Sequence, residues 1–411
     1  MNAFLPADIL LPHDADLNKW AVIACDQFTS DPAYWQRVRA AAGQAPSTIH
    51  MILPEAELDS HDASSVDAIN ATMERYLAEG VFDVYPNAYI YVERTLENGS
   101  VRPGLVGAVD LEQYDYSHGS GSPVRATEMT VLERIPPRKM VRKDASIELP
   151  HVLMLCDDEK MELIEPVAAI KESLPKLYDF ELMENGGHIT GWLVQGEAAE
   201  AFNNRLSAYT HTYESKYPDL AGAKVLLAVG DGNHSLATAK SCYEDLKAAN
   251  PQTDLSKHPA RFALVELENI HDRSLSFEPI HRVLFDVDRE KLMNDLESIC
   301  AEDGFEITLT FGDTRRKVCL DRSRGELAVA VLQEFLDQWL KNNSGRIDYI
   351  HGEEDVLKLS TPDNTLGFLL PGMEKSQLFR GVIAGGVLPR KTFSMGHARE
   401  KRYYLEGRRI K

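Results

Sequence analysis

The stretch that decides the fold runs from Lys224 to Lys240, KVLLAVGDGNHSLATAK. Val225–Val229 is an unbroken apolar run, which suits a strand buried on both faces. Gly230, Asp231, Gly232 and Asn233 follow, and these residue types tolerate a tight turn with positive φ. Beyond them Leu236, Ala239, Tyr243 and Leu246 recur on one helical face until Asn250–Pro251 stops the helix. A buried strand that passes through glycines into a helix N-terminus presents backbone N–H groups and the positive end of the helix dipole. That is a site for an anion, most often a phosphate. His234 sits at the turn itself, where its ring can donate to a phosphate oxygen or shuttle a proton. The same residues also spell an ordinary strand-turn-helix connection with Ser235 as a cap, and the stretch alone leaves both readings open.

With 411 residues the chain has room for two or three domains or one two-lobed unit with an ample core. Its 44% hydrophobic and 26% charged residues are those of a globular protein in water. A formal net charge of −20 opposes nonspecific binding to nucleic acid and to an anionic membrane. The five cysteines, Cys25, Cys156, Cys242, Cys300 and Cys319, are far apart and form no CxxC. They read as reduced thiols of a cytoplasmic protein rather than a disulfide or zinc framework. The N-terminal sequence lacks a basic stretch and acquires acids early, unlike a signal peptide. No apolar run approaches the length of a membrane span.

Taken in order, Trp20–Cys25 reads as a strand and Asp31–Pro32 opens a helix that continues to Ala42, with Pro in the first turn. A second helix is expected from Ser65 to Glu79, closed by Gly80. Ala88–Arg94 and Gly104–Leu111 read as strands joined across Asn98–Gly99, a good hairpin signal. The Ser/Gly-rich stretch from Tyr114 to Pro123 reads as a loop. Leu149–Leu155 is an expected strand, and Tyr178–Met183 with His188–Val194 a second hairpin. A helix from Glu197 to Tyr213 leads into the central stretch, and Arg261–Glu268 is another strand. Elements then follow at Leu327–Leu340, Ile347–His351, Leu366–Leu370 and Gln377–Ala384. The expected class is α+β, with mixed sheets and hairpins, and the expected division is 1–275 and 276–411, the second lobe ending in a basic tail.

Two segments are basic within this acidic chain. Arg134–Lys143 carries Arg134, Arg138, Lys139, Arg142 and Lys143 with no acid, and Arg390–Lys411 is rich in Arg and Lys. If both faced one cleft they would focus a small polyanion, whereas taken singly each reads as a solvated face. Thr127–Glu128 lies beside the first cluster, where Glu128 could hold magnesium, act as a general base or serve in a salt bridge. Asp26 leaves a buried strand, a frequent place for a catalytic carboxylate. His281–Arg282 is a polar pair inside an apolar run, readable as a buried structural pair or as a ligand contact. The histidines form no HxxxH or HExxH pattern, and the chain has no GxxxxGK[ST], GxSxG or strand-linked GxGxxG motif. Cys25, with no positioned partner in sequence, is a weak nucleophile candidate.

Five motifs in order, Val101–Tyr116, Arg125–Thr130, Gly230–Lys240, Phe277–Val287 and Gly386–Tyr404, resemble the SerK-like family, long catalogued as a domain of unknown function. The resemblance runs from about Lys19 onward. It implies a ParB/sulfiredoxin-like core, whose members bind nucleotides or phosphates at a Gly-x-His-Arg turn, and kinship with kinases of free serine. Asp231, Gly232 and His234 match the family's Asp-Gly-His-His-Arg turn, with Asn233 in place of its first histidine and Ser235 in place of its arginine. Thr127–Glu128 match its His-Glu, His281–Arg282 its His-Arg, and Lys391–Thr392 its Lys-Ser-Thr region. An arginine there would clamp a phosphate bidentately, which Ser235 cannot do.

These readings combine into one expectation, a cytoplasmic phosphotransferase acting from a nucleotide on a small hydroxylated metabolite. Gly230–Ser235 would cradle the phosphate, with Arg134, Lys391, Thr392 and Arg282 around it. Glu128, His234 and Asp26 would do the proton chemistry, and Glu128 with Asp231 would hold Mg2+. ATP, ADP and CTP are the candidate nucleotides. The alternative is a sensor of the same fold that binds a nucleotide or metabolite without catalysis. A ParB-type DNA-binding role is opposed by the acidic charge and by the lack of a helix-turn-helix.

Overall fold

The computed structural model describes residues 2–29, 31–58 and 63–411. The Asn98–Gly99 turn signal is realised between two long antiparallel strands, Phe82–Thr95 and Val101–Asp110, with Ile90 opposite Val106 and Thr95 opposite Val101. The Lys176–Glu181 and His188–Val194 hairpin joins the free side of the first of these. On the other side Phe262–Asn269 pairs antiparallel with Val101–Asp110 and parallel with Leu153–Cys156. Leu227–Asp231 then pairs antiparallel with Leu153–Cys156 and parallel with Val124–Ala126. The result is one mixed eleven-stranded sheet. The class is α+β, as expected from interleaved hairpins and helices.

The helix of the central stretch spans Asn233–Ala249. Leu236, Ala239 and Tyr243 are buried, and Leu246 packs beside them against Leu227, Val229 and Met154. A second apolar cluster gathers Trp20, Trp35, Val38, Ile49, Ile90 and Tyr403. The helix Pro32–Ala42 borders it, capped by Asp31, whose side chain accepts from the Tyr34 N–H at 3.1 Å. The expected Trp20–Cys25 strand is shorter. Leu17–Trp20 forms a single helical turn because the Asp16 side chain caps it, and only Val22–Ile23 pairs as a strand. Leu149–Leu155 likewise starts late, at Leu153, after Pro150, which has no N–H for a ladder.

The chain divides into two compact units, Met1–Leu275 with His397–Lys411, and Ser276–Gly396. The sequence reading placed the whole of 276–411 in the second lobe, so His397–Lys411 is a correction. Tyr403–Tyr404 pairs antiparallel with Val22–Ile23, and Arg408–Arg409 with Ile147–Glu148. The second unit is built on a six-stranded sheet, antiparallel throughout, and the helix Ala328–Asn342 buries Val331, Leu332 and Leu336.

The returning segment carries charge into the first unit's interior. Arg402, 3% exposed, pairs with Glu266 at 2.5 Å and with Glu406, which also accepts from the Tyr178 hydroxyl. Arg408 donates to Glu148 at 2.8 Å, and Glu148 also takes Arg142 at 2.5 Å and the Leu264 N–H at 2.8 Å. Glu268 is fully buried. Arg102 Nε lies 2.9 Å from its carboxylate, but among the described residues neither Glu268 oxygen receives an aligned hydrogen bond. Burial therefore outweighs Arg102, with Glu266 adding to it, and pushes the Glu268 carboxyl up to about 8.

That shift has a sign. An acid whose pKa is higher folded than unfolded binds more protons in the native state between the two values, so stability falls as pH rises through that window. For Glu268 the window runs from the ordinary glutamate value of 4.5 up to about 8. We expect Glu268→Gln to flatten the loss of urea stability between about pH 5 and about pH 9. Equal slopes in wild type and variant would show that Glu268 is ionised throughout.

Candidate functional site

The strand Leu227–Asp231 ends in Gly232, whose φ of +83° and ψ of 25° are left-handed. A Cβ there would stand 3.1 Å from both the Cα and a methyl of Val152, so the position needs glycine for conformation and for space. Asp231 fastens the turn. Its Oδ1 accepts the Gly232 N–H at 3.0 Å, and its Oδ2 meets Lys401 Nζ at 3.1 Å. Both oxygens thus help to hold the turn in place. Gly232 stands at the N-cap of the helix that begins at Asn233, and among the described residues no side chain caps this helix of 17 residues, whose positive end lies at the turn. We expect Gly232→Val to cost about 1–3 kcal/mol of stability, the penalty of one strained backbone site, read as a lower denaturation midpoint in urea. An unchanged midpoint would mean the turn relaxes freely.

Asn233 and His234 hold a neighbouring loop over the turn. Asn233 Oδ1 accepts the Thr127 N–H at 3.2 Å, and Thr127 Oγ1 donates to the Val229 carbonyl at 2.6 Å. His234 Nε2 accepts the Val131 N–H at 3.2 Å. In the neutral ring this puts the His234 proton on Nδ1. Glu128, half-buried, lies between these two anchors and so beside the turn.

A second polar group adjoins the first helical turn. His151, 4% exposed, bonds Ser235 Oγ through Nε2 at 3.1 Å, and the same nitrogen is 3.6 Å from Asp26 Oδ2. Its Nδ1 is 2.7 Å from the Tyr404 hydroxyl. That hydroxyl oxygen accepts the Cys25 N–H at 3.2 Å, which leaves its own proton for His151 Nδ1. Burial raises the Tyr404 pKa well above its ordinary value, so the phenol stays protonated. The network therefore assigns the His151 proton to Nε2, facing Asp26 and Ser235. Burial raises the Asp26 carboxyl, but His151, Gln27, Lys401 and Arg138 together outweigh it and hold the group below the usual range. Asp26 is an ionised base at neutral pH. Burial pushes the Cys25 thiol up to about 12, so it is no thiolate nucleophile.

Of the residues expected at the site, Asp26, Glu128 and Gly230–Ser235 are gathered here in the first unit. Arg134 is exposed at the start of the helix Ile135–Arg142. Three of the other four cations of its cluster are taken up by acids: Arg138 by Glu55, Lys139 by Asp245 at 2.5 Å, and Arg142 by Glu148, while Lys143 is exposed beside Asp144. In the C-terminal segment Arg402 and Arg408 form buried ion pairs and Lys401 meets Asp231, whereas Arg390, Lys391, Arg399, Arg409 and Lys411 are exposed. Arg282, Lys391 and Thr392 belong to the second unit. There Arg282 is fully buried, donating to Gln333 at 3.1 Å and to the Arg390 carbonyl at 3.2 Å. Thr392 is buried and donates to the Pro389 carbonyl at 2.6 Å, while Lys391 is exposed. Among the described residues one His/acid group has metal-ligand spacing, Asp157, Glu159 and His271, and its Asp157 is already held by Lys216 and Tyr217.

His151, Tyr404 and Lys401 were not assigned to the site from sequence. His151 lies outside the five motifs, and Tyr404 closes the fifth without a spacing that marks it for chemistry. Glu266 and Glu268 did offer a signal, two acids at i and i+2 on one face of an otherwise apolar strand.

The molecule is thus a mixed α/β protein of two units, with a polar site at the N-terminus of a long helix. Residues 6–383 match the family described as protein of unknown function (DUF1015), and the chain belongs to that family. None of the curated proteins matches its sequence. Among solved structures it is similar to SbnI with a C-terminal truncation from Staphylococcus aureus, at 12% identity and a TM-score of 0.36, covering 71% of this chain and 82% of that one. A conserved hypothetical protein from Pyrococcus furiosus shows 11% identity and a TM-score of 0.35, covering 72% and 90%. A free serine kinase in complex with AMP shows 10% identity and a TM-score of 0.38, covering 71% and 92%.

Proposed function

We propose that the protein transfers a phosphoryl group from a nucleotide to the hydroxyl of a small metabolite at the Gly230–Ser235 turn. The observation that carries this reading is the pairing of an uncapped helix N-terminus with an ionised carboxylate, Asp26, held 3.6 Å from His151 beside the same first turn. The backbone of the turn receives the phosphate oxygens, and Lys401, on Asp231, adds positive charge at its edge. Asp26 takes the proton of the acceptor hydroxyl as that oxygen forms its bond to phosphorus. The bond from phosphorus to the nucleotide's bridging oxygen breaks, and the nucleotide leaves one phosphate shorter. His151, fixed by Tyr404, orients Asp26 and Ser235.

Isothermal titration with ATP, ADP and CTP, with and without magnesium, tests the reading. Saturable heat with at least one nucleotide, reduced in Gly232→Val, is the expected result. No heat in any titration, from protein that is folded, would overturn it.

A further inference from the structure

The first unit contains a cavity of about 160 Å³ on the inner side of the proposed site. Ile52, Leu53, Met73, Val141 and Leu264 form its apolar walls. Cys25, His151, Ser235 and Tyr404 line the wall shared with the polar network. Aliphatic-lined cavities of roughly 150 Å³ admit one benzene-sized molecule.

The polar groups around the space already serve one another. Arg138 is held by Glu55, and Arg142 by Glu148. Thr238 donates to the His234 carbonyl at 2.7 Å, and Ser235 and Tyr404 share His151. A nucleobase placed here would exchange several hydrogen bonds with water for contacts with groups already paired, and each polar atom left unsatisfied would oppose binding. An apolar ring pays no such penalty. Its natural polar attachment is one hydroxyl directed at the His151 and Ser235 wall, next to Asp26.

We infer that the cavity seats the body of the acceptor, and that the acceptor is an alcohol carried on a single apolar ring or a branched aliphatic group of that size. This rests on the phosphotransfer reading for the fate of the hydroxyl but not for the binding of the ring. It sets the acceptor class apart from small polar alcohols, which would leave the apolar walls against water.

The test uses the full chain with benzyl alcohol and cyclohexylmethanol as probes, and glycerol and serine as polar controls. Saturation-transfer NMR of the probe protons should show saturable binding to wild type. Val141→Phe and Leu53→Phe, which fill the space from two sides, should weaken it at least tenfold in protein whose unfolding midpoint matches wild type. Where a nucleotide is consumed, the ring alcohols should raise its turnover at least tenfold above the polar controls. No saturable binding, binding equal in both filled variants, or faster turnover with glycerol or serine would each overturn the inference. Nucleotide heat without ring binding would remove the inference and keep the proposed function. Ring binding without nucleotide heat would overturn the proposed function and the ring's part as acceptor, and keep the cavity only as a binding site for such a ring.

Discussion

Arg402→Met is expected to destabilise the first unit by about 3–5 kcal/mol, the cost of breaking a buried ion pair by removing one partner. Arg402 lies between Glu266 and Glu406, and all three side chains are at most 3% exposed. Methionine fills much of the volume but leaves two carboxylates in a medium that cannot hydrate them, and each must take up a proton or draw in water. The loss should show as a lower urea midpoint with an unchanged slope. A second change distinguishes charge from shape: adding Glu266→Gln and Glu406→Gln to Arg402→Met should return part of the stability, since the three residues form one network. A single variant within 1 kcal/mol of wild type, roughly the scatter of a surface substitution, would mean the network contributes nothing net.

The second large effect concerns turnover. Under the proposed function Asp26→Asn should slow nucleotide-dependent transfer by about 10²–10⁴-fold, the usual contribution of a positioned general base. The amide keeps the size of the carboxylate and can still accept from Gln27, and Asp26 does not hold the phosphate in this reading, so nucleotide heat should remain close to wild type. His151→Gln should show a smaller loss together with a changed pH profile, because His151 acts through Asp26 and Ser235 rather than on the acceptor. If Asp26→Asn turns over within a few-fold of wild type, the base lies elsewhere, and Glu128 beside the turn becomes the next residue to test.

Much of the fold was legible because it is written locally. The Asn98–Gly99 hairpin, the Asp31–Pro32 helix start and the strand-glycine-helix stretch each state their geometry within a few residues. The turn half of the site was legible for the same reason, since Gly232 has to adopt a left-handed φ and that need shows in the sequence. The other half was not. His151 and Tyr404 are 253 residues apart, and their hydrogen bond is decided by the return of the C-terminal segment to the first unit. The charge count misled in a related way. Clusters such as Arg138–Arg142 look like a surface for anions until the acids that face them are placed: Glu55, distant in the chain, on Arg138, and Glu148, in the strand that follows the helix, on Arg142. The short helical turn at Leu17–Trp20 was missed because an apolar run followed it and the Asp16 cap went unread.

The way the first unit is closed also orders events during synthesis. A ribosome that has made everything up to Gly396 has completed the second unit but has not yet made Lys401, Arg402 or Tyr404. Until those residues emerge, Glu266 lacks its cation, Asp231 lacks its lysine and His151 lacks the phenol that fixes its tautomer. The second unit can therefore fold while the first still waits, although most of the first is translated earlier. The growing chain carries an unfinished core through that interval, with contacts that span nearly its whole length left to form last. Released chains that stop at Gly396 should be digested by protease in residues 1–275 while residues 276–396 resist, and the chain that continues through Tyr404 should be protected in both.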